Sequence, residues 1–282
     1  MRMLFTAAAL LALAFSPAPA ATGAAAPAEV RLYVLDCGRI ELADADDYAD
    51  DGAYKGLPKT LANPCFLIRH PGGDLLWDTG VPQALADTPP ADRPEGVVVE
   101  RRLTDQLAEL GLAPEDIEFV SLSHSHFDHI GNAVLFTKAT WIVDADEHAH
   151  AFRPRARAHA ESFQRYAALE QRPTLLIEGD GPHDVFGDGT AVIHPAPGHT
   201  PGHSVLLVKL ERSGPVLLSG DMWHVAESQA ARRVPRFNAD RAATLRSMER
   251  VEALAKETGA RLVRQHVPAD IAALPAFPEP MG

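Results

Sequence analysis

Ser123-His124-Ser125-His126-Phe127-Asp128-His129 is the stretch from which the rest of this sequence is best read. It places four metal-binding side chains close together, directly after the apolar run Ile117-Glu118-Phe119-Val120-Ser121-Leu122. That pattern predicts a short buried strand running into a ligand-bearing loop. His124 and His126 are two apart, so an extended strand end points both to one side. The turn at Asp128-His129 then aims a second pair at a neighbouring point. Neutral imidazoles with a carboxylate suit zinc or a similar first-row divalent ion. A polar loop that is His-rich by chance is the competing explanation, and it weakens because further ligands follow in workable places.

His199 lies in Ala196-Pro197-Gly198-His199-Thr200-Pro201-Gly202-His203, Asp221 ends Pro215-Val216-Leu217-Leu218-Ser219-Gly220, and His266 ends Ala260-Arg261-Leu262-Val263-Arg264-Gln265. Each follows a predicted strand or sits in a Gly/Pro loop, where functional side chains are commonly mounted on a rigid scaffold. The order H-x-H-x-D-H, then a lone His, an Asp and a last His, resembles the metallo-β-lactamase superfamily. The resemblance implies an α/β fold of the αββα sandwich type, a single domain over residues 29–282, with metals held at one edge between two sheets.

The chain has 282 residues, 46% of them hydrophobic, enough for a sizeable core. A formal charge of -12 argues against a nucleic-acid partner, which would call for a basic face. Arg2, the apolar run Leu4 to Phe15 and the small residues Ala18-Pro19-Ala20 read as a signal peptide over residues 1–20. The run is too short to span a bilayer comfortably, so no stable membrane anchor is expected. Cleavage near Ala20 would leave a flexible leader, residues 21–28, on a periplasmic or secreted protein. Cys37 and Cys65 lie in apolar strand-like runs; a disulfide and two buried thiols both remain open.

Along the chain, Val30 to Leu42 reads as a strand and Asp44 to Lys59 as an acidic loop. A hairpin is expected around Pro71-Gly72-Gly73. Asp78, in Asp78-Thr79-Gly80, is a candidate partner for a ligand histidine. Val97 to Leu110 has helical periodicity, Gly131 to Phe136 reads as a short helix, and Ala145 to Leu169 as a long outer helix broken at Pro154. His148, His150 and His159 on it read as solvated surface groups. Thr174 to Ile177 is expected to open the second half of the fold, Asp240 to Thr258 to form a helix stopped by Gly259, and the Pro-rich tail from Asp270 to be irregular.

The superfamily resemblance divides the ligands into His124, His126 and His199 for one ion and Asp128, His129 and His266 for the other, with Asp221 bridging. The cofactor it implies is a pair of divalent metal ions, zinc the expected choice, about 3.5–4 Å apart and sharing a hydroxide. Asp221 disfavours a true β-lactamase, which generally lacks that bridge. Ligand spacing, with Leu32-Tyr33-Val34-Leu35-Asp36-Cys37-Gly38, Pro197 to Ser204 and Leu274-Pro275-Ala276-Phe277-Pro278, resembles the N-acyl homoserine lactone lactonases, the quorum-quenching branch. That resemblance implies a small lactone substrate, opened by attack of the bridging hydroxide, with Asp128 protonating the departing ring oxygen. A homodimer rests on the resemblance alone.

Two departures stand out. Many such lactonases carry a Tyr three residues after the bridging Asp, where this chain has His224; a neutral His224 could donate the same hydrogen bond to the carbonyl. Many also follow the last ligand with Asp, where this chain has Val267. Phe127 and Trp223 are candidate walls for the acyl chain, with Trp223 the better candidate for core. The run Gly220-Asp221-Met222-Trp223-His224-Val225-Ala226 also resembles exported phosphotriesterases of the methyl-parathion-hydrolase type. An arylesterase activity, a glyoxalase II-like thioesterase and a metal-free binding protein of the same fold complete the alternatives.

Overall fold

Strands with apolar residues on both faces must be covered on both sides, and that requirement shapes the molecule. The computed structural model describes residues 29–282; the expected signal peptide and leader lie outside them. The first sheet contains β1 (Arg31–Leu42), β2 (Lys59–His70), β3 (Gly73–Trp77), β4 (Val97–Val98), β5 (Phe119–Ser121), β6 (Thr140–Asp144) and β7 (Thr174–Ile177), in the order β4-β1-β2-β3-β5-β6-β7. The second contains β8 (His183–Asp184), β9 (Ala191–Pro195), β10 (Ser204–Leu210), β11 (Gly214–Leu218) and β12 (Arg261–Val263), in the order β12-β11-β10-β9-β8. The helices are α1 (Leu103–Glu109), α2 (Phe127–Ile130), α3 (Ala145–Ala151), α4 (Pro154–Ala158), α5 (Ala160–Gln164), α6 (Ala226–Ala231), α7 (Arg241–Thr258) and α8 (Pro268–Ala272).

Period-two alternation sorts the side chains into layers. Phe66 and Ile68 of β2 face Leu206 and Val208 of β10 across the space between the sheets. Their neighbours Cys65 and Leu67 pack outward with Leu103 and Leu107 of α1. On the far side, Val205 and Leu207 meet Met248 and Val251 of α7. The order is helix, sheet, sheet, helix, as the resemblance implies.

Several expectations need correction. Val97–Val98 pairs with Arg39 and Ile40 as a strand, and the helix begins only at Leu103; β-branched residues fit the pleated edge, where Val97 and Val99 bury against Val81. The region read as a long outer helix broken at Pro154 does break there, since Pro154 can start a helix but not continue one, yet it is cut again at His159 into three short helices and a 3₁₀ turn (Ala167–Gln171). Thr174–Ile177 pairs in parallel with β6, so it closes the first sheet instead of opening the second half. The helix expected at Gly131 starts earlier, at Phe127, so Asp128 and His129 ride on α2, with a separate 3₁₀ turn at Ala133–Leu135. Cys37 and Cys65, left open above, form a disulfide between neighbouring strands. Part of the tail is ordered as α8, and Met281 pairs with Leu32. Among the described residues no helix is long and apolar enough to cross a membrane.

Candidate metal centre

The ends of β3, β5, β11 and β12 and the β9–β10 turn converge on one edge of the sandwich and bring the predicted ligands together. His124, His126, His199 and Asp221 form one group and Asp128, His129 and His266 another; Asp221, His224 and His266 make a third that overlaps both, and within each group the ligand atoms lie within 4.8 Å of one another. Asp221 stands between the first two. Its Oδ2 lies 3.5 Å from His124 Nε2 and 3.2 Å from His199 Nε2. Its Oδ1 lies 3.0 Å from His129 Nε2 and 2.9 Å from His266 Nε2. One carboxylate thus offers one oxygen to each group.

The donor set fits a pair of divalent ions. His124 Nε2, His129 Nε2 and Asp221 Oδ1 are buried without a hydrogen-bond partner, a costly state unless an ion takes their lone pairs. Burial holds His124 and His126 well below the usual histidine range, helped by the neighbouring imidazoles, so both stay neutral as ligands must. Burial opposes charge on His129 and His266 too, but there Asp221 and Asp128, joined at His129 by Asp78, overcome it and push both up.

The outward nitrogens are fixed by a surrounding shell. His129 Nδ1 sits 3.0 Å from Asp78 Oδ2. Asp78 also accepts from Ser123 N (2.7 Å), Ser123 Oγ (2.9 Å) and Gln265 Nε2 (2.7 Å), so it is the histidine partner anticipated from its sequence position. The question raised by Val267 resolves at the backbone: His266 Nδ1 is 2.7 Å from the Ala62 carbonyl oxygen, which accepts from it.

Other members of this shell escaped sequence reading. Glu147, fully buried on α3, accepts from Ser125 N (2.7 Å), Ser125 Oγ (2.5 Å), Thr200 Oγ1 (2.5 Å) and Gly202 N (3.2 Å). It therefore ties the His124–His126 loop to the His199 loop. His203 is pushed down to about 3 by burial and is neutral; its Nδ1 donates to Ala196 O and its Nε2 accepts from Asp221 N at 3.0 Å. Gly220 turns with φ +49°, and a Cβ there would stand 2.6 Å from His203 Nε2, so only glycine brings Asp221 this close. The repeated Pro-Gly-His of the His199 loop was the visible signal for His203; Glu147 had none, because its partners are remote in sequence.

A cavity of about 260 Å³ opens over the centre. His224 lines it with 3% exposure, stacked on His266 (5.3 Å, 18°), and its Nε2 lies 3.0 Å from Asp221 Oδ2. Burial lowers His224 to about 4, against the pull of Asp221, so it is neutral at ordinary pH. Phe127 stands 47% exposed at the cavity wall, whereas Trp223 is fully buried in the core. Three wall residues were missed: Leu61, Tyr48 and Phe237. Tyr48, on a 3₁₀ turn (Asp46–Tyr48), meets His224 edge-on at 5.1 Å, and Phe237 meets Tyr48 at 5.3 Å. Burial, with the charges of Asp128 and Asp221, pushes the Tyr48 phenol up and keeps it protonated. Of the three histidines read as solvated, only His159 is exposed; His148 packs on Phe152 (4.9 Å), and His150 lines a neighbouring cavity of about 220 Å³.

Residues 59–266, which carry every ligand, match the model of the metallo-beta-lactamase superfamily. The chain belongs to the metallo-beta-lactamase superfamily. It is 32% identical over 252 residues to N-acyl homoserine lactonase AttM of Azorhizobium caulinodans, covering 85% of this chain and 94% of AttM. Against an N-acyl homoserine lactonase of a Bacillus species it is 32% identical over 232 residues, covering 79% and 87%. A solved N-acyl homoserine lactone hydrolase, with the product N-hexanoyl-L-homoserine bound at its catalytic metal center, matches with a TM-score of 0.75 at 26% identity, covering 89% of this chain and 98% of that one. As a superfamily member with this ligand set and these relatives, the chain is a metal-dependent hydrolase.

Proposed function

We propose that this hydrolase opens the lactone ring of N-acyl homoserine lactones. The observation that carries the reading is Asp221, whose two oxygens face two separate ligand groups, in a chain aligned along most of its length with N-acyl homoserine lactonases. His124, His126 and His199 would hold one ion and Asp128, His129 and His266 the other, with Asp221 shared; the nitrogen-rich donor set favours zinc. Two such ions, when bound, supply a nucleophilic hydroxide near neutral pH and polarise the carbonyl.

The protein's own groups do the rest. Asp128 Oδ2 is 3.6 Å from both His129 Nε2 and His266 Nε2, which leaves Oδ1 to carry a proton to the departing ring oxygen. His224 stays neutral beside Asp221 and limits its movement. Phe127, Tyr48 and Phe237 screen the reacting ester from water. Phe127 and His126 line both cavities, so the neighbouring one, with Pro82, Ile130 and Tyr166, adjoins the centre and offers apolar surface to an acyl chain. Water adds across the ester, the ring C–O bond breaks, and the N-acyl homoserine product ionises with release of one proton.

Acid release on addition of a long-chain N-acyl homoserine lactone tests this. Metal-loaded protein should acidify an unbuffered solution rapidly, and a chelated sample should not. No acid from dimetal protein of native fold would overturn the lactonase assignment and redirect attention to phosphotriesters and aryl esters.

A further inference from the structure

The cavity over the centre is lined by nine residues. His126, Asp128, Asp221 and His266 belong to the ligand groups, and Leu61, Phe127 and Phe237 offer no side-chain hydrogen-bond donor. His224 directs its Nε2 at Asp221 Oδ2, 3.0 Å away. That leaves Tyr48, whose hydroxyl has no hydrogen-bond partner among the described residues, although its ring is mostly buried between His224 and Phe237. A phenol so placed presents an unused O–H to whatever occupies the cavity, where it can donate to a ligand that supplies an acceptor.

The turn carrying Tyr48 is held from outside. Arg236 Nη1 pairs with Asp46 Oδ2 (2.9 Å) and Arg236 N donates to Asp47 O (2.8 Å). Asp50 pairs with Arg241 (2.5 Å) and Asp51 with Arg233 (2.8 Å). Asp50 N donates to Val234 O (2.9 Å). These contacts tie the acidic turn to the segment that carries Phe237, so the phenol is positioned before substrate arrives. A donor fixed in advance, in a site shielded from water, stabilises charge that develops during the reaction.

We propose that the Tyr48 hydroxyl donates a hydrogen bond to the substrate's carbonyl oxygen and strengthens it as that oxygen becomes negative. The phenol keeps its proton throughout. Its role rests on the hydrolase reading and names a substrate-contacting group that sequence comparison of the ligand motifs does not reach.

Tyr48→Phe is the test, because it removes one oxygen and keeps the ring against His224 and Phe237. On N-hexanoyl homoserine lactone, kcat should fall about 10²–10³-fold, the usual cost of a lost oxyanion donor, with KM changed far less. Metal content and thermal midpoint should equal those of the wild type. A kcat within about threefold of wild type would overturn the proposal, as would a variant that loses activity only by losing metal or stability. If the wild type is inert towards lactones but hydrolyses p-nitrophenyl acetate or a phosphotriester, the lactonase reading fails alone. The same pair of proteins compared on that substrate then decides the part played by Tyr48.

Discussion

Asp221 concentrates more of the chemistry than any other residue. Both its oxygens are committed, its backbone N–H is held by His203, and the adjoining histidines keep its carboxyl well below the usual range despite burial. Asp221→Asn keeps the volume but gives one oxygen position to a donor that cannot bind a cation. Lactone turnover should fall by at least about 10²-fold with circular dichroism unchanged; near-normal turnover would contradict a shared carboxylate. Glu147→Gln is subtler, since an amide can accept from only one of its two ends, so one of the two ligand loops loses its anchor. Metal affinity measured against a competing chelator should weaken about 10–100-fold, the range for outer partners of ligands. His224→Phe should slow turnover at unchanged metal content, and loss of metal would make His224 a ligand. The seven candidate ligands were legible because short-range spacing and strand ends announce them. Glu147, Gln265 and Tyr48 were not, because each acts across a fold whose topology has to be known first.

Elements with one dominant signal were read well. The α7 helix starts at its Asp240 cap and stops at Gly259 in the left-handed conformation, where periodicity and capping place it. The stretch from Ala145 to Leu169 was read correctly at its Pro154 break and misread beyond it, because its weak periodicity is cut again at His159, which is not helical (φ -89°, ψ 67°). Asp144, which caps α3 by accepting from Asp146 N and Glu147 N, is pushed up to about 6 by burial. The folded carboxyl then keeps a proton that the unfolded one, near 3.8, releases, so its contribution to stability falls as pH rises from about 4 to 6. The melting temperature of wild type minus that of Asp144→Asn should therefore decrease over that interval; a flat difference would refute the shift. The acidic loop was read as acidic, while its cationic partners Arg233, Arg236 and Arg241 were not foreseen, since they lie far along the chain. Its ion pairs are partly exposed and therefore screenable. Raising ionic strength from about 0.05 M to about 1 M should lower kcat/KM for an uncharged lactone, and more so in Asp50→Asn.

At the scale of the molecule, the sandwich was inferred from a ligand order, while the membership of each sheet was not. Strand β7 was assigned to the wrong half because a short apolar run does not say which neighbour it will pair with. The assembled sheets hold the candidate ligands together in the folded chain alone, so an ion bound there would stabilise the fold. Chelation should consequently lower the thermal midpoint by several degrees, at roughly 2–4 °C per kcal/mol of lost binding free energy. An unchanged midpoint after verified metal removal would show that the centre adds nothing to stability.

The contact between His266 and Ala62 joins residues 204 apart in sequence, and this sets a schedule for biosynthesis. A growing chain exposes His124, His126, Asp128 and His129 long before the strand that delivers His266 has been translated. Until then half of the cation-binding pocket has no closing side, and soft or mismatched ions in the surroundings meet an open array of imidazoles. The pocket can therefore close around an ion only after the last strand has been made and has docked.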